Sequence, residues 1–310
     1  MKIAVVGPGA LGCLLAALLF EAGEDVFLVD YRPERAALLQ EQGIRLRTLD
    51  GGQRVIPVPI GLPPEAGPRD LTIMAVKAHQ TRAAALDLLL LMAQGGLALT
   101  LQNGLGNLEE MAREVGPQRL LAGVGFLGVT REGEGRVIHA GAGAIVIGAP
   151  PGSRVAPPQV TAVAAVFRRA GLECQIRSDI EVVLWEKLVV NVAVNPLTAL
   201  LRAPNGVLPE LPEAWELALA AAREAKNVAR AAGMPLAGDQ EPRLRQVCIA
   251  TAANRSSMLQ DVLAGRPTEI EALNAQVAAR GAALGVPTPV NHFLTQLLRA
   301  LGQSGPFRVG

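Results

Sequence analysis

Three polar residues recur at every fourth position in an otherwise apolar run from Trp185 to Gly206: Lys187, Asn191 and Asn195. At about 100° per residue, positions i, i+4 and i+8 fall within an arc of about 80° on one helix face. The neighbours Leu188, Val189, Val190, Val192, Ala193 and Val194 leave no wide polar face to solvate that stripe. Burying a lysine and two carboxamides without partners is costly, so the spacing predicts a polar pocket. The chemistry available there is proton donation. A positioned ammonium can protonate and stabilise an oxygen on which negative charge develops. Carboxamides donate and accept, which suits a substrate hydroxyl.

A glycine-rich turn offers a second kind of chemistry. Lys2 to Val6 is a short β-rich run, followed by Gly7-Pro8-Gly9-Ala10-Leu11-Gly12 and an apolar helical segment to about Glu21. A second strand, Val26 to Val29, ends in Asp30. Strand, glycine turn, helix, strand and acid together form the context that a dinucleotide fingerprint requires. The turn at Gly7, Gly9, Ala10, Leu11 and Gly12 lets a pyrophosphate approach the helix N-terminus. Asp30 suits the ribose 2′-hydroxyl of NAD, whereas Arg32 and Arg35 could hold a 2′-phosphate. Two cations against one anion tilt the expectation toward NADP(H), with some use of NAD(H).

The elements that must position these groups fall into two halves. Asp70 to Val76 reads as a buried strand ending at Lys77, with His79 beyond it, and Leu97 to Leu101 as another, ending at Gln102-Asn103. A helix is expected between them, from about Thr81 to Ala93. Leu120 to Thr130 and Arg136 to Ile147 read as strands joined by a turn over 131–135. A helix over Gln159 to Ala170 and a strand over Leu172 to Arg177 follow. Alternating strands and helices imply a mostly parallel, doubly wound sheet of Rossmann type. Ligands of such sheets bind beyond the carboxyl ends of strands, which makes Lys77 and Asn103 candidate contacts. Composition shifts near Ser178, predicting a dinucleotide-binding domain over 1–178 and an all-α domain over 179–310. The latter would hold five or six helices, among them 212–232, 242–264, 268–284 and 291–301. Thr268 is placed as a helix N-cap, with Glu269 and Glu271 complementing the helix dipole.

Composition narrows the function classes. Half of the 310 residues are hydrophobic, 18% are charged and the formal net charge is +1, with no basic patch for nucleic acid. Cys13, Cys174 and Cys248 form no C-x-x-C, which predicts core thiols in a reducing cytoplasm. Three histidines without a Cys/His cluster argue against zinc. No uncharged apolar run reaches the ~18 residues of a membrane span, so a soluble protein is expected.

The motifs, taken in order, resemble the ketopantoate reductase (2-dehydropantoate 2-reductase) family. They are G-P-G-A-L-G at 7–12, A-V-K-A-H-Q at 75–80, Q-N-G-L-G-N at 102–107, K-L-V-V-N-V-A-V-N-P-L-T-A-L at 187–200, P-N-G at 204–206, S-S-M-L-Q-D-V at 256–262 and T-E-I at 268–270. The resemblance implies a Rossmann domain followed by a helical domain like that of 6-phosphogluconate dehydrogenase, in a homodimer. It also implies NADPH-dependent reduction of 2-dehydropantoate to (R)-pantoate in pantothenate biosynthesis. Lys187 would then be the proton donor, with Glu269 its partner acid beside substrate and cofactor. Asn191, Asn195 and Ser257 would bind substrate, Asn103 both substrate and cofactor, and Lys77 would lie near the nicotinamide ribose. Asn205 corresponds to a further polar position. Val29-Asp30-Tyr31-Arg32 departs from the arginine-first pattern common in NADPH-using members. Two alternatives stand beside this expectation: a reductase of another branched or aromatic 2-keto acid, and a non-catalytic nucleotide sensor. A free lysine titrates near 10.4, too high for efficient donation at neutral pH. Burial would lower that value and Glu269 would raise it, and the sequence leaves the balance open.

Overall fold

The computed structural model describes residues 1–304, whose contacts divide them into two units. The first comprises residues 1–102 and 107–180. Its elements begin with β1 (Lys2–Val6), α1 (Ala10–Glu21), β2 (Asp25–Val29), α2 (Pro33–Gln42), β3 (Ile44–Arg47), β4 (Gln53–Ile56), β5 (Ile60–Gly61) and α3 (Pro63–Ala66). They continue with β6 (Arg69–Met74), α4 (Thr81–Ala85), α5 (Leu88–Leu91), β7 (Met92–Thr100), α6 (Asn107–Val115) and β8 (Leu120–Gly125). The last are β9 (Gly128–Gly133), β10 (Arg136–Gly141), β11 (Ile145–Gly148), α7 (Pro157–Arg169) and β12 (Cys174–Ile176).

The main sheet has the order β12-β11-β8-β7-β6-β1-β2-β5. From β5 to β8 all neighbours run parallel, giving the doubly wound Rossmann order; β11 then pairs antiparallel with β8 and carries β12, parallel to it, at the edge. Alternate residues of β1 explain why both faces are covered. Ile3 and Val5 enter the apolar cluster of α1, α2 and α7, while Ala4 and Val6 enter that of α4, α5 and α6. Cys13 and Cys174 are free thiols in the first of these cores.

Three expectations for this half need correction. The helix placed over 81–93 is two short turns, α4 and α5, and the chain enters β7 already at Met92. Gly95 and Gly96 sit inside that strand as a bulge: its register shifts against β6, and a Cβ on Gly96 would lie 2.7 Å from the Arg69 carbonyl. The strands placed over 120–130 and 136–147 each break into two, β8 with β9 and β10 with β11. The first leaves the main sheet for a second one, ordered β4-β3-β10-β9, and the second returns from it to the main sheet. Leu46, Ile56 and Val137 of this small sheet share the apolar cluster of α1, so it packs over that helix.

The second unit comprises 103–106 and the described residues from 181 onward. It contains α8 (Ile180–Leu201), α9 (Pro212–Ala231), α10 (Gln240–Ala250), α11 (Ser257–Leu263), α12 (Asn274–Leu284) and α13 (Pro289–Gln303). By length and composition α8 could cross a membrane, yet 67% of its most apolar window is buried within the fold. Leu188, Val189, Val192 and Ala193 are fully enclosed by α9, α10, α12 and α13, which makes α8 the core helix of its unit.

Candidate active site

In the first unit the glycine turn has the build of a phosphate cradle. Gly7 takes φ +107°, and a Cβ there would meet the Val76 backbone at 2.8 Å. A Cβ on Gly12 would lie 1.9 Å from the Gly7 carbonyl oxygen, so only glycine lets α1 start this close to β1. Gly9 differs, because its nearest neighbour is the Ala75 oxygen at 4.0 Å. That open side, with Ala10 and Leu11 opening α1, leaves backbone N–H groups facing room for an anion. The residues present fit a dinucleotide.

Asp30 does not stand ready for a ribose. It is fully buried, and its Oδ1 accepts from the backbone N–H of Tyr31 at 2.7 Å and of Arg32 at 3.2 Å. Arg35 grips the same carboxylate through Nε and Nη2, a bidentate pair. The expectation that Asp30 opposes both arginines is therefore corrected: Arg35 neutralises it. Arg32 lies at the N-cap position of α2, exposed, and its Nη2 donates to Glu134 at 2.7 Å.

Lys77 is half-buried in the turn after β6, and His79 is exposed. A side chain that the sequence reading passed over organises this turn. Gln102 is buried, donates to the Val76 carbonyl at 2.9 Å and to Thr81 at 2.6 Å, and Thr81 donates to Asn107 at 2.9 Å. The polar ends of the Q-N-G-L-G-N motif thus brace the loops, while Asn103 to Gly106 belong to the second unit. There Leu105 N–H donates to the Ala272 carbonyl at 2.9 Å. Gly104, at φ +82°, passes so close that a Cβ would lie 2.2 Å from that oxygen.

In the second unit α8 carries the polar stripe. Asn195 is buried, and Lys187 and Asn191 are partly so. Among the described residues neither carboxamide has a hydrogen-bond partner. Enclosure by protein pulls the Lys187 ammonium down to about 8, and the Glu269 carboxylate opposes this more weakly. The balance left open by sequence is settled in favour of burial. Pro196 lies within α8 and has no N–H for the Val192 carbonyl four residues earlier. Asn274 supplies the missing donor at 3.0 Å, and its Nδ2 also reaches Asn291 at 3.0 Å. This tie holds the helix turn between Asn191 and Asn195.

Glu269 and Glu271 are not in a helix first turn. Residues 269–273 form a turn, and α12 begins only at Asn274. The reason is visible in the backbone: the Ala272 carbonyl goes to Leu105 instead of serving a helix. Glu271 lies exposed in a bidentate pair with Arg299, at 2.7 Å for each bond. Glu269 is buried, and its charge acts on Lys187.

The helix expected over 242–264 is interrupted between Ala250 and Ser257. Asn205 N–H and Gly206 N–H donate to the carbonyls of Asn254 and Ala252, at 3.0 and 3.1 Å, which pulls that segment out of helical geometry. Ser256 then caps α11, accepting from Leu259 N–H at 3.1 Å and from Thr198 of α8 at 2.8 Å. Ser257, its half-buried neighbour, opens α11. Asn205 is buried and donates to Thr251 at 2.9 Å, and its Oδ1 has no partner among the described residues.

Comparison with known proteins adds independent findings. Residues 3–152 match the family model described as Ketopantoate reductase PanE/ApbA, and 179–302 match its C-terminal counterpart. A curated 2-dehydropantoate 2-reductase of Halobacterium salinarum is 35% identical over 98% of this chain and 100% of its own length. The crystal structure of 2-dehydropantoate 2-reductase from Geobacter metallireducens is 33% identical with a TM-score of 0.89, covering 97% of this chain and 99% of that one. The ternary structure of a D-mandelate dehydrogenase with NADH and anilino(oxo)acetate is 26% identical with a TM-score of 0.90, covering 98% and 99%.

Proposed function

The chain belongs to the ketopantoate reductase family, and from that premise we propose that it reduces 2-dehydropantoate to (R)-pantoate with NADPH. The observation that carries this is Lys187, an ammonium lowered to about 8 on an apolar helix beside two carboxamides. Bound NADPH supplies the hydride. Lys187 gives its proton to the ketone oxygen as negative charge develops there, and a donor titrating near the working pH is effective at this step. Glu269 keeps the ammonium from losing its proton too early and, beside cofactor and substrate, acts as the partner acid. Asn191 and Asn195 pair with the substrate hydroxyl and carboxylate, aided by Ser257, Asn103 and the unpaired Oδ1 of Asn205. Gly7, Gly9, Ala10, Leu11 and Gly12 hold the pyrophosphate, and Lys77 the nicotinamide ribose. The closed Asp30–Arg35 pair favours a 2′-phosphate at Arg32 over a free 2′-hydroxyl. Three free, buried cysteines fit a reducing cytoplasm, and assembly as a homodimer follows from the family resemblance. Replacing Lys187 with alanine should lower kcat by about 10²-fold or more while cofactor affinity changes little. A variant with near-normal kcat would remove Lys187 from the mechanism.

The D-mandelate dehydrogenase likeness supports a second reading, in which the ketone carries an aromatic side chain and NADH is the donor. The proton-transfer machinery is the same in both, and the apolar lining around the substrate decides between them.

A further inference from the structure

The β9–β10 hairpin brings two charged residues to the end of β2 that no step above uses. Arg131, on β9, forms an ion pair with Glu134 at 2.6 Å. Glu134, at the hairpin tip, also accepts from Arg32 Nη2 at 2.7 Å and lies 3.8 Å from Arg35 Nη1. Asp30 holds the other two nitrogens of Arg35 and the backbone of Arg32. The hairpin is held in place by pairing of β10 with β3 and by packing of the small sheet on α1. The buried Cys13 thiol, in the first turns of α1, feels Arg131, Arg35, Glu134 and Asp30 together. The cluster therefore lies over the helix that follows the glycine turn, at the strand end where this fold receives the adenosine ribose.

Three guanidinium groups and two carboxylates make up this cluster, and the two carboxylates differ. Asp30 is fully buried and locked to Arg35, whereas the Glu134 side chain is 36% exposed and the Arg32 side chain 55%. Carboxylate and phosphate are both oxyanions that guanidinium forks accept in the same geometry. We propose that Glu134 occupies the place of the cofactor's 2′-phosphate, and that this phosphate displaces it to pair with Arg32 and Arg131. The proposal rests on the NADP(H) reading and adds a specificity device to it. The Arg32–Glu134 pair is exposed and such pairs are individually weak, so a dianion can displace the carboxylate there, while Arg131, four-fifths buried, stays in place to receive it. A cofactor lacking the phosphate leaves Glu134 paired and the hairpin undisturbed. Glu134 thus moderates the preference for NADP(H), and Arg131 provides a contact from outside the β2–α2 segment.

The test is calorimetric binding of adenosine 2′,5′-bisphosphate and of 5′-AMP to the full chain, to Glu134→Gln and to Arg131→Ala. Removing one negative charge beside a dianion should tighten the bisphosphate about tenfold and leave 5′-AMP within about twofold. Arg131→Ala should weaken the bisphosphate by about tenfold, again with 5′-AMP nearly unchanged. An unchanged ratio of the two affinities in Glu134→Gln would overturn the proposal. So would equal weakening of both ligands in Arg131→Ala. If the unaltered protein prefers 5′-AMP, the NADP(H) reading fails by itself, whereas a shift toward bisphosphate in Glu134→Gln still upholds the role of Glu134.

Discussion

Ketone reduction should slow as pH rises through about 8, because the general acid is a lysine that burial has pulled down to that value. The sign follows from the protonation state required. Reduction needs the ammonium, and a lowered pKa means that the proton leaves earlier as pH rises. From pH 7 to 9.5 the protonated fraction of a group titrating near 8 falls about 30-fold, whereas a free lysine near 10.4 loses only about a tenth. kcat/KM for NADPH and 2-dehydropantoate should trace that fall, and oxidation of pantoate, which needs the neutral amine, should rise through the same pH. Glu269 opposes the shift, so Glu269→Gln should move the descending limb to lower pH. The assay is initial rates of NADPH oxidation at saturating cofactor across this range. A flat profile to pH 9.5, or a limb that moves upward in Glu269→Gln, would refute the assignment of Lys187 and the reasoning from burial.

Gly12→Ala would place a Cβ 1.9 Å from backbone that cannot yield; overpacking of this kind costs about 1–3 kcal/mol, and urea unfolding with NADPH titration should show stability and cofactor affinity falling together. Asn274→Ala leaves the Val192 carbonyl and the Asn291 Oδ1 unpaired inside the second unit, and urea unfolding should record a loss of roughly 2 kcal/mol. Removing only the substrate's hydroxyl, as in 2-keto-3,3-dimethylbutyrate, should lower kcat/KM strongly, since the carboxamides of Asn191 and Asn195 lose that partner; equal values for the two ketones would contradict their role.

The parts of the site that rest on local geometry could be read directly from the residues. The glycine turn is one, because Gly7 and Gly12 answer to backbone close by in the strand, turn and helix around them. The Lys187 stripe is another, because helical periodicity alone aligns it. What could not be read depends on partners distant in sequence. Pro196 announces that the Val192 carbonyl lacks a donor, but nothing local says that Asn274, 82 residues from Val192, provides it. The break before Ser256 has its cause in the segment at Asn205 and Gly206. Asp30 and Arg35 were set against each other as charges of opposite preference, and the structure joins them as a pair. Within the charged R-E-G-E-G-R stretch the sequence predicts a turn over 131–135, and only pairing in the small sheet brings Glu134 to Arg32. A turn dense in opposite charges between two strands was the available signal.

The central claim is the identity of the ketone, and a side-by-side measurement of kcat/KM with NADPH for 2-dehydropantoate and phenylglyoxylate tests it most directly. The account predicts that 2-dehydropantoate is favoured by about 10²-fold or more, with (R)-pantoate as product, because a site built to pair with a hydroxyl rejects a ketone that lacks one. A preference for phenylglyoxylate would contradict it and make the protein an aromatic 2-keto acid reductase on the same scaffold.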